Sequence, residues 1–124
     1  MKEAMLYEQL PENKVKCNLC GRKCTIPDGS VGFCLVRKNE EGKLYSLVYG
    51  KACSACVDPI IKKPLSHFHP DSLVMSIATV GCNFRCRFCD NWSISQEKKI
   101  MGYDFPPEKV VEATKENGCQ GISY

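Results

Sequence analysis

Cysteine is the residue that most constrains this sequence, because it occupies ten of 124 positions. That density approaches the range of disulfide-stapled secreted proteins. The N-terminal segment Met1–Tyr7, however, lacks the basic and apolar regions of a signal peptide, and no stretch reaches the roughly 18 apolar residues of a membrane-spanning helix. We therefore expect a cytoplasmic protein with reduced cysteines. Because they cluster at spacings of two to four residues, we expect them to bind metal.

The charge pattern argues against polyanionic partners. The net charge is +3, with acidic and basic residues interspersed along the chain. A nucleic-acid-binding or membrane-binding protein usually carries a run of like charges, and none is present here. We therefore expect neither a nucleic-acid partner nor a membrane partner.

The hydrophobic pattern predicts a strand–helix–strand order in the second half of the chain. Residues 73–80 are almost continuously apolar and end at Gly81, as in a buried parallel strand. Residues 106–117 read as a helix with proline at its start, and a second strand begins at residue 121. Earlier, residues 40–43 predict a hairpin turn followed by a strand over 44–49. The sequence therefore predicts an α/β fold with a βαβ unit.

A loop after the first predicted strand carries Cys82, Cys86 and Cys89 in the spacing C-x3-C-x2-C. Thiolates are soft ligands that suit iron–sulfur clusters or zinc. A cubane cluster usually has four cysteine ligands, so three would leave one iron open to a cofactor or substrate. The alternative is a structural zinc site completed by a distant cysteine or histidine.

An earlier group comprises Cys17, Cys20, Cys24 and Cys34. Four thiolates close a tetrahedral site, which is typical of structural zinc, and they could equally hold a second iron–sulfur cluster. The remaining alternative is four unligated thiols in a loop-rich segment. We expect a second metal site here, with Zn²⁺ slightly favoured.

The second group also carries a family resemblance. The string from Gly81 to Trp92 resembles the radical S-adenosylmethionine (SAM) signature, including the aromatic residue before the last cysteine. The flanking segments resemble the AmmeMemoRadiSam system radical SAM enzymes, a subgroup related to pyruvate formate-lyase activating enzymes. Those segments are Cys17–Cys20, Gly32–Cys34, Leu44–Gly50, Asp58–Ile60, Lys62–Leu65 and Asn91–Gln96.

The resemblance implies a fold and a domain organisation. It implies the start of a partial (β/α)6 radical SAM barrel, preceded by a small cysteine-rich metal-binding region. The cysteine-rich region would cover residues 1–72, and the first βαβ portion of a truncated barrel would cover 73–124. We therefore expect the chain to be the N-terminal fragment of a longer enzyme and to be inactive alone.

The resemblance also implies a chemistry. Cys82, Cys86 and Cys89 would hold a [4Fe–4S] cluster that binds S-adenosyl-L-methionine and cleaves it reductively. The resulting 5′-deoxyadenosyl radical would abstract hydrogen from a substrate, a protein being one candidate. Phe88 would pack near the adenine, with ordinary core packing as the alternative. The electron donor would be a flavodoxin or a ferredoxin.

Other candidates have weaker patterns. Cys53 and Cys56 read as small core residues, and so does Cys119. His67 and His69 read as loop residues, with metal ligation as the alternative. Two further functions compete with the radical SAM enzyme: an iron–sulfur electron carrier, and a zinc-binding interaction module without catalysis.

Overall fold

Short β-strands dominate the computed structural model, which describes all 124 residues. Strands hold 31% of the residues and helices 14%. The chain forms two units, one from residues 1–49 and 80–100 and the other from residues 50–79 and 101–124. No helix has both the length and the apolar character that crossing a membrane requires. Each unit therefore combines segments that are distant in the sequence.

The first unit contains six strands and one short helix, α1 (Trp92–Ser95). The strands are β1 (Lys2–Glu3), β2 (Tyr7–Gln9), β3 (Val15–Cys17), β4 (Thr25–Ile26), β5 (Arg37–Glu40) and β6 (Lys43–Ser46). They form two antiparallel three-stranded sheets, in the orders β1-β6-β5 and β2-β3-β4. Their core is formed by Ala4, Val15, Cys17, Ile26 and Leu44.

The β5–β6 hairpin confirms the turn predicted at residues 40–43. Glu41 and Gly42 have φ values of 53° and 80°. Two positive φ values are typical of a type I′ turn, whose twist matches that of the flanking strands. Asn39 is fully buried and its Oδ1 accepts a hydrogen bond from Gly42 N at 3.0 Å. Its Nδ2 donates to the carbonyls of Asn13 and Ile26 at 2.7 and 2.9 Å. One side chain therefore ties the hairpin to two other segments.

The second unit is arranged around one central strand. Its strands are β7 (Lys51–Ala52), β8 (Ser54–Pro59), β9 (Leu73–Ala78), β10 (Tyr103–Asp104) and β11 (Gly121–Ser123), with a 3₁₀ turn at Ile60–Lys62 and the helix α2 (Pro107–Glu116). Strand β9 lies between β8, which is antiparallel to it, and β11, which is parallel to it. Strands β7 and β10 form a separate antiparallel pair.

The predicted strand and helix of this unit are observed. In β9, Val74 and Met75 are both buried; because neighbouring strand residues point to opposite faces, both faces of β9 are covered. Helix α2 packs on β9 and buries Val110 and Thr114. Pro107 takes its first position, as expected for a residue without an N–H to satisfy.

The predicted fold class is wrong. The chain is mostly β-sheet and contains no (β/α)6 barrel, so it is not the start of an α/β radical SAM barrel. The single parallel pair, β9 with β11, sits in a sheet whose other pairing is antiparallel. The prediction failed because short strands in the first half pair as local hairpins and meanders, which the cysteine-rich composition did not reveal. The predicted division at residues 72 and 73 stays a prediction.

Candidate metal centre

The three cysteines of the second group lie on an irregular loop of the first unit. Residues 82–89 contain neither helix nor strand, and a hydrogen bond from Cys89 N to Cys86 O, at 3.3 Å, closes a turn. All three thiols are free; Cys86 is exposed, while Cys82 and Cys89 are half-buried. The Sγ of Cys89 lies 3.4 Å from the Oγ of Ser95 in helix α1. The loop can therefore adjust without breaking a β-ladder.

The start of this loop is held by a glycine that tolerates no side chain. Gly81 has a φ of 89°, which favours glycine because L-residues are strained there. A Cβ at this position would lie 2.5 Å from Cγ1 of Val36 and 2.6 Å from the carbonyl oxygen of Cys34. The backbone before Cys82 therefore rests directly on the segment that follows Cys34.

Two arginines join the two cysteine groups. The Arg85 Nη1 donates to the Cys82 carbonyl at 2.8 Å, and its Nη2 donates to the Phe33 carbonyl at 2.7 Å. Arg22, which lies between Cys20 and Cys24, donates from Nε to the Asn83 carbonyl at 3.0 Å. Both guanidinium groups lie over the Phe33 ring, 3.7 Å (Arg22) and 4.4 Å (Arg85) from its centroid. Such cation–π contacts add to the hydrogen bonds.

The four cysteines of the first group line one cavity of about 450 Å³. Cys17 ends β3 and Cys24 precedes β4, and Cys17 N donates to the Cys24 carbonyl at 2.9 Å. Cys20 begins a turn closed by Lys23 N, and Cys34 lies within a turn from Gly32 to Leu35. Cys82, from the second group, also lines this cavity.

A buried guanidinium faces the first group. Arg37 is 9% exposed; its Nη1 donates to the Cys17 Sγ at 3.2 Å, and its Nη2 donates to the Met5 carbonyl at 3.0 Å. None of the ion pairs in the chain involves Arg37. A buried charge is costly without a counter-charge, and the sulfur of Cys17 is the one candidate within hydrogen-bonding distance.

The predicted ligands are present in type and number but are not gathered around a common point. No group of three or more His, Cys, Asp or Glu side chains is placed to hold a metal ion. The donor set nevertheless fits a soft metal. The loop offers three thiols within eight residues, and the cavity is lined by the four cysteines of the first group and by Cys82, without a carboxylate or imidazole among its lining residues. Metal binding therefore requires the loop and the turns to close.

Phe88, the aromatic residue predicted to contact the cofactor, is almost fully exposed. Phe88 is 90% exposed, so the core-packing alternative is wrong and the adenine contact stays a prediction. Nearby, the Asn91 carbonyl accepts hydrogen bonds from Ile94 N and Ser95 N. Trp92, which begins α1, is mostly exposed.

The remaining candidates stand apart from both groups. Cys56 is exposed, so it is not a core residue, whereas Cys53 and Cys119 are half-buried. The thiol of Cys53 donates to the Ala78 carbonyl at 3.4 Å. His67 and His69 are exposed loop residues, and the His69 ring meets Phe68 edge-on at 4.5 Å between centroids. None of these residues is grouped as a metal site.

A polar cluster in the second unit, centred on the buried Asp58, was not predicted from the sequence. Its carboxylate accepts hydrogen bonds from Lys62 at 2.8 Å, Ser76 at 2.8 Å, Lys63 at 3.3 Å and Cys56 at 3.5 Å. These donors, Lys62 first and then Ser76, hold the pKa of Asp58 well below its usual range, although burial opposes them. The same contact raises the pKa of Lys62. The pairing of Lys62 with Asp58, four residues apart, was the signal available in the sequence.

Comparison with known proteins finds an archaeal relative. Over its whole length the chain is 51% identical to an uncharacterized protein of Methanocaldococcus jannaschii, and it spans 38% of that protein's length. No family model matches the chain, and no solved structure matches it. The sequence is therefore shared with a longer archaeal protein, whose name gives no activity.

Proposed function

We propose that this chain is the cluster-binding part of a cytoplasmic radical SAM enzyme, in which Cys82, Cys86 and Cys89 ligate a [4Fe–4S] cluster. The supporting observation is the placement of three free thiols in the spacing C-x3-C-x2-C on an irregular loop. A fourth ligand is absent from that loop, which suits a cluster with one iron open to a cofactor. When bound, the cluster supplies the electron that cleaves a carbon–sulfur bond of S-adenosylmethionine, for hydrogen abstraction from a substrate still to be identified.

The residues around the loop have distinct roles in this proposal. Gly81 and Arg85 fix the backbone at its start through the close approach to Cys34 and the bonds to the Cys82 and Phe33 carbonyls. Phe88 is available to cover the adenine because its side chain is 90% exposed. Cys82, Cys86 and Cys89 would hold the cluster. The proposal also includes an electron donor, a flavodoxin or ferredoxin, which would reduce the cluster, and a substrate that would lose a hydrogen atom.

The test is iron and sulfide analysis of the anaerobically reconstituted chain, with electron paramagnetic resonance spectra of the dithionite-reduced chain before and after adding S-adenosylmethionine. We expect about four irons per chain and a change in the spectrum on adding S-adenosylmethionine. Cys86→Ser should remove the signal. Cys56→Ser is the matched control, since it also replaces an exposed thiol, and it should keep the signal.

The assay for function is release of 5′-deoxyadenosine from S-adenosylmethionine under reducing conditions. Loss of release in Cys86→Ser but not in Cys56→Ser supports the proposal. Equal iron content in both variants would show that the ligands are assigned wrongly.

A zinc-binding module without catalysis is the second candidate, favoured by the cysteine-lined cavity. It predicts a colourless protein that contains zinc and takes up no iron on reconstitution. The same metal analysis separates the two functions.

A further inference from the structure

The charged residues that line the cysteine cavity suit a metal–thiolate site with a net negative charge. Arg22 and Arg37 are the charged lining residues, and both are cationic. Four thiolates around a Zn²⁺ ion carry a net charge of −2, because four negative charges exceed two positive ones. Two guanidinium groups balance that charge. A thiolate–metal site would therefore also supply the counter-charge that the buried Arg37 lacks.

The four cysteines of the first group come from strand ends and from turns. Cys17 and Cys24 are fixed to each other across neighbouring strands by the bond between Cys17 N and the Cys24 carbonyl, 2.9 Å long. Cys20 and Cys34 come from turns, which can move inward more easily than strands. The pair Cys17 and Cys20 has the two-residue spacing that is common in zinc sites.

The segments that would be fixed by such a metal are those that support the Cys82–Cys89 loop. The turn containing Arg22 contacts Asn83, and the turn containing Phe33 receives the bond from Arg85. Gly81 rests on the segment after Cys34. All of these contacts lie within the first unit.

We propose that Cys17, Cys20, Cys24 and Cys34 bind one Zn²⁺ ion, and that this zinc site anchors the Cys82–Cys89 loop through Arg22, Phe33 and Arg85. The zinc site itself is independent of the radical SAM proposal. The anchoring of the loop rests on the radical SAM proposal in one respect: the anchored loop is taken to be the one that holds the cluster. The metal acts here structurally, by closing a site with four protein ligands.

The first test uses the triple variant C82S/C86S/C89S, which has no ligands for the proposed cluster. Metal analysis should find one zinc per chain. Cys20→Ser in that background should lose it, whereas Cys119→Ser, which replaces a half-buried thiol of the second unit, should retain it. Iron with sulfide in place of zinc, or no metal at all in the triple variant, would overturn the zinc site.

Cobalt substitution keeps the test independent of whether Cys20→Ser folds. Co²⁺ added to the metal-free triple variant should give the intense visible bands of tetrahedral thiolate coordination, and added Zn²⁺ should bleach them. Weak bands typical of octahedral cobalt would contradict four-sulfur ligation. An iron-free but zinc-loaded wild-type chain would overturn the cluster proposal alone.

The anchoring is tested by trypsin, since Arg87 is an exposed cleavage site within the loop. In the triple variant, Zn²⁺ should slow cleavage after Arg87 several-fold relative to the chelated protein, while cleavage after Lys51, in the second unit, stays unchanged. Arg85→Gln, which removes the bond to the Phe33 carbonyl at a residue outside the cavity lining, should abolish the zinc effect on Arg87 and keep the zinc content. Equal cleavage with and without zinc would overturn the anchoring and leave the zinc site standing.

Discussion

Asn39 shows how one buried polar side chain can organise a small β-unit. Its amide satisfies two carbonyls and one N–H in three different segments. No pattern in the sequence pointed to it, because asparagine before a turn is common and its burial depends on segments that arrive from elsewhere in the chain. The hairpin turn was predictable from local residues, whereas its attachment was not.

Asn39→Ala should destabilise the chain by about 3 kcal/mol, because it leaves buried backbone groups without partners. The measurement is the free energy of unfolding from urea titration followed by circular dichroism. Asn117→Ala is the control. It removes an exposed hydrogen bond to the Ala113 carbonyl and should cost less than about 1 kcal/mol. Equal losses would show that Asn39 does not hold the segments together.

Asp58 predicts a pH dependence with a definite sign. Because hydrogen bonds from Lys62, Ser76 and Lys63 lower its pKa in the folded state, its stabilising contribution is complete above the unfolded value of about 3.9. The contribution is lost as the pH falls below that value toward the lower folded pKa. Asp58→Asn should therefore be less stable than the wild type at pH 7, and the difference should shrink at pH 3.

The measurement is the difference in unfolding free energy between variant and wild type across that pH range. Asp104→Asn provides the comparison, since its carboxylate is mostly exposed and its replacement should matter little throughout. A difference for Asp58→Asn that does not change with pH would contradict the assignment.

At the scale of elements, Gly81 controls how the cysteine loop begins. Gly81→Ala should destabilise the chain by about 1–3 kcal/mol more than Gly118→Ala, since overpacking adds to backbone strain. Gly118 also has a positive φ, of 64°, but a methyl group added there would meet no atom within 4 Å. The comparison by thermal unfolding therefore isolates the contact with Val36 and Cys34. Equal effects would mean that the loop does not rest on that segment.

Helix α2 offers a matched pair of neighbouring valines. Val110 is buried and Val111 is largely exposed. Val110→Ala should cost about 2 kcal/mol of stability through lost burial and the cavity left behind, whereas Val111→Ala should stay within about 0.5 kcal/mol. Urea titration of both variants is the measurement. A large loss at Val111 instead would reverse the assigned face of the helix.

The elements with strong local signals were predicted well. Helix α2 starts with proline and is followed by Asn117 and Gly118, and β9 lies in an almost continuous apolar run. Strand β6 was placed over 44–49 but ends at Ser46. The two- and three-residue strands of the first unit carry too few residues to show an alternating pattern.

At the scale of the whole molecule, the fold class was mispredicted because neither the βαβ pattern nor the family resemblance reports how the short strands of the first unit pair. Strand β8 is the antiparallel partner of β9. Its sequence alternates only loosely between apolar and polar residues, and this pattern does not predict whether it pairs parallel or antiparallel. The cysteine groups were identified from spacing alone, but their proximity within the first unit depends on contacts between residues about 60 positions apart, such as Arg22 with Asn83.

The division into two units predicts a local response to metal. Removing zinc with a chelator should speed hydrogen exchange at amides of β3 and β4, because the proposed site lies between and beside these strands. Amides of β8 and β9, in the second unit, should keep their protection. Mass spectrometry of the metal-free and zinc-loaded chain measures both. Uniform loss of protection would mean that the units do not open separately.

The ten free cysteines differ widely in accessibility, from the buried Cys17 to the exposed Cys56 and Cys86. An alkylating reagent such as iodoacetamide should therefore label them one after another, in order of their accessibility. The two exposed thiols should be labelled first, the half-buried ones later, and Cys17 only when the first unit opens. A timed labelling series would therefore report how readily each part of the chain opens, with each cysteine as the probe of its own surroundings.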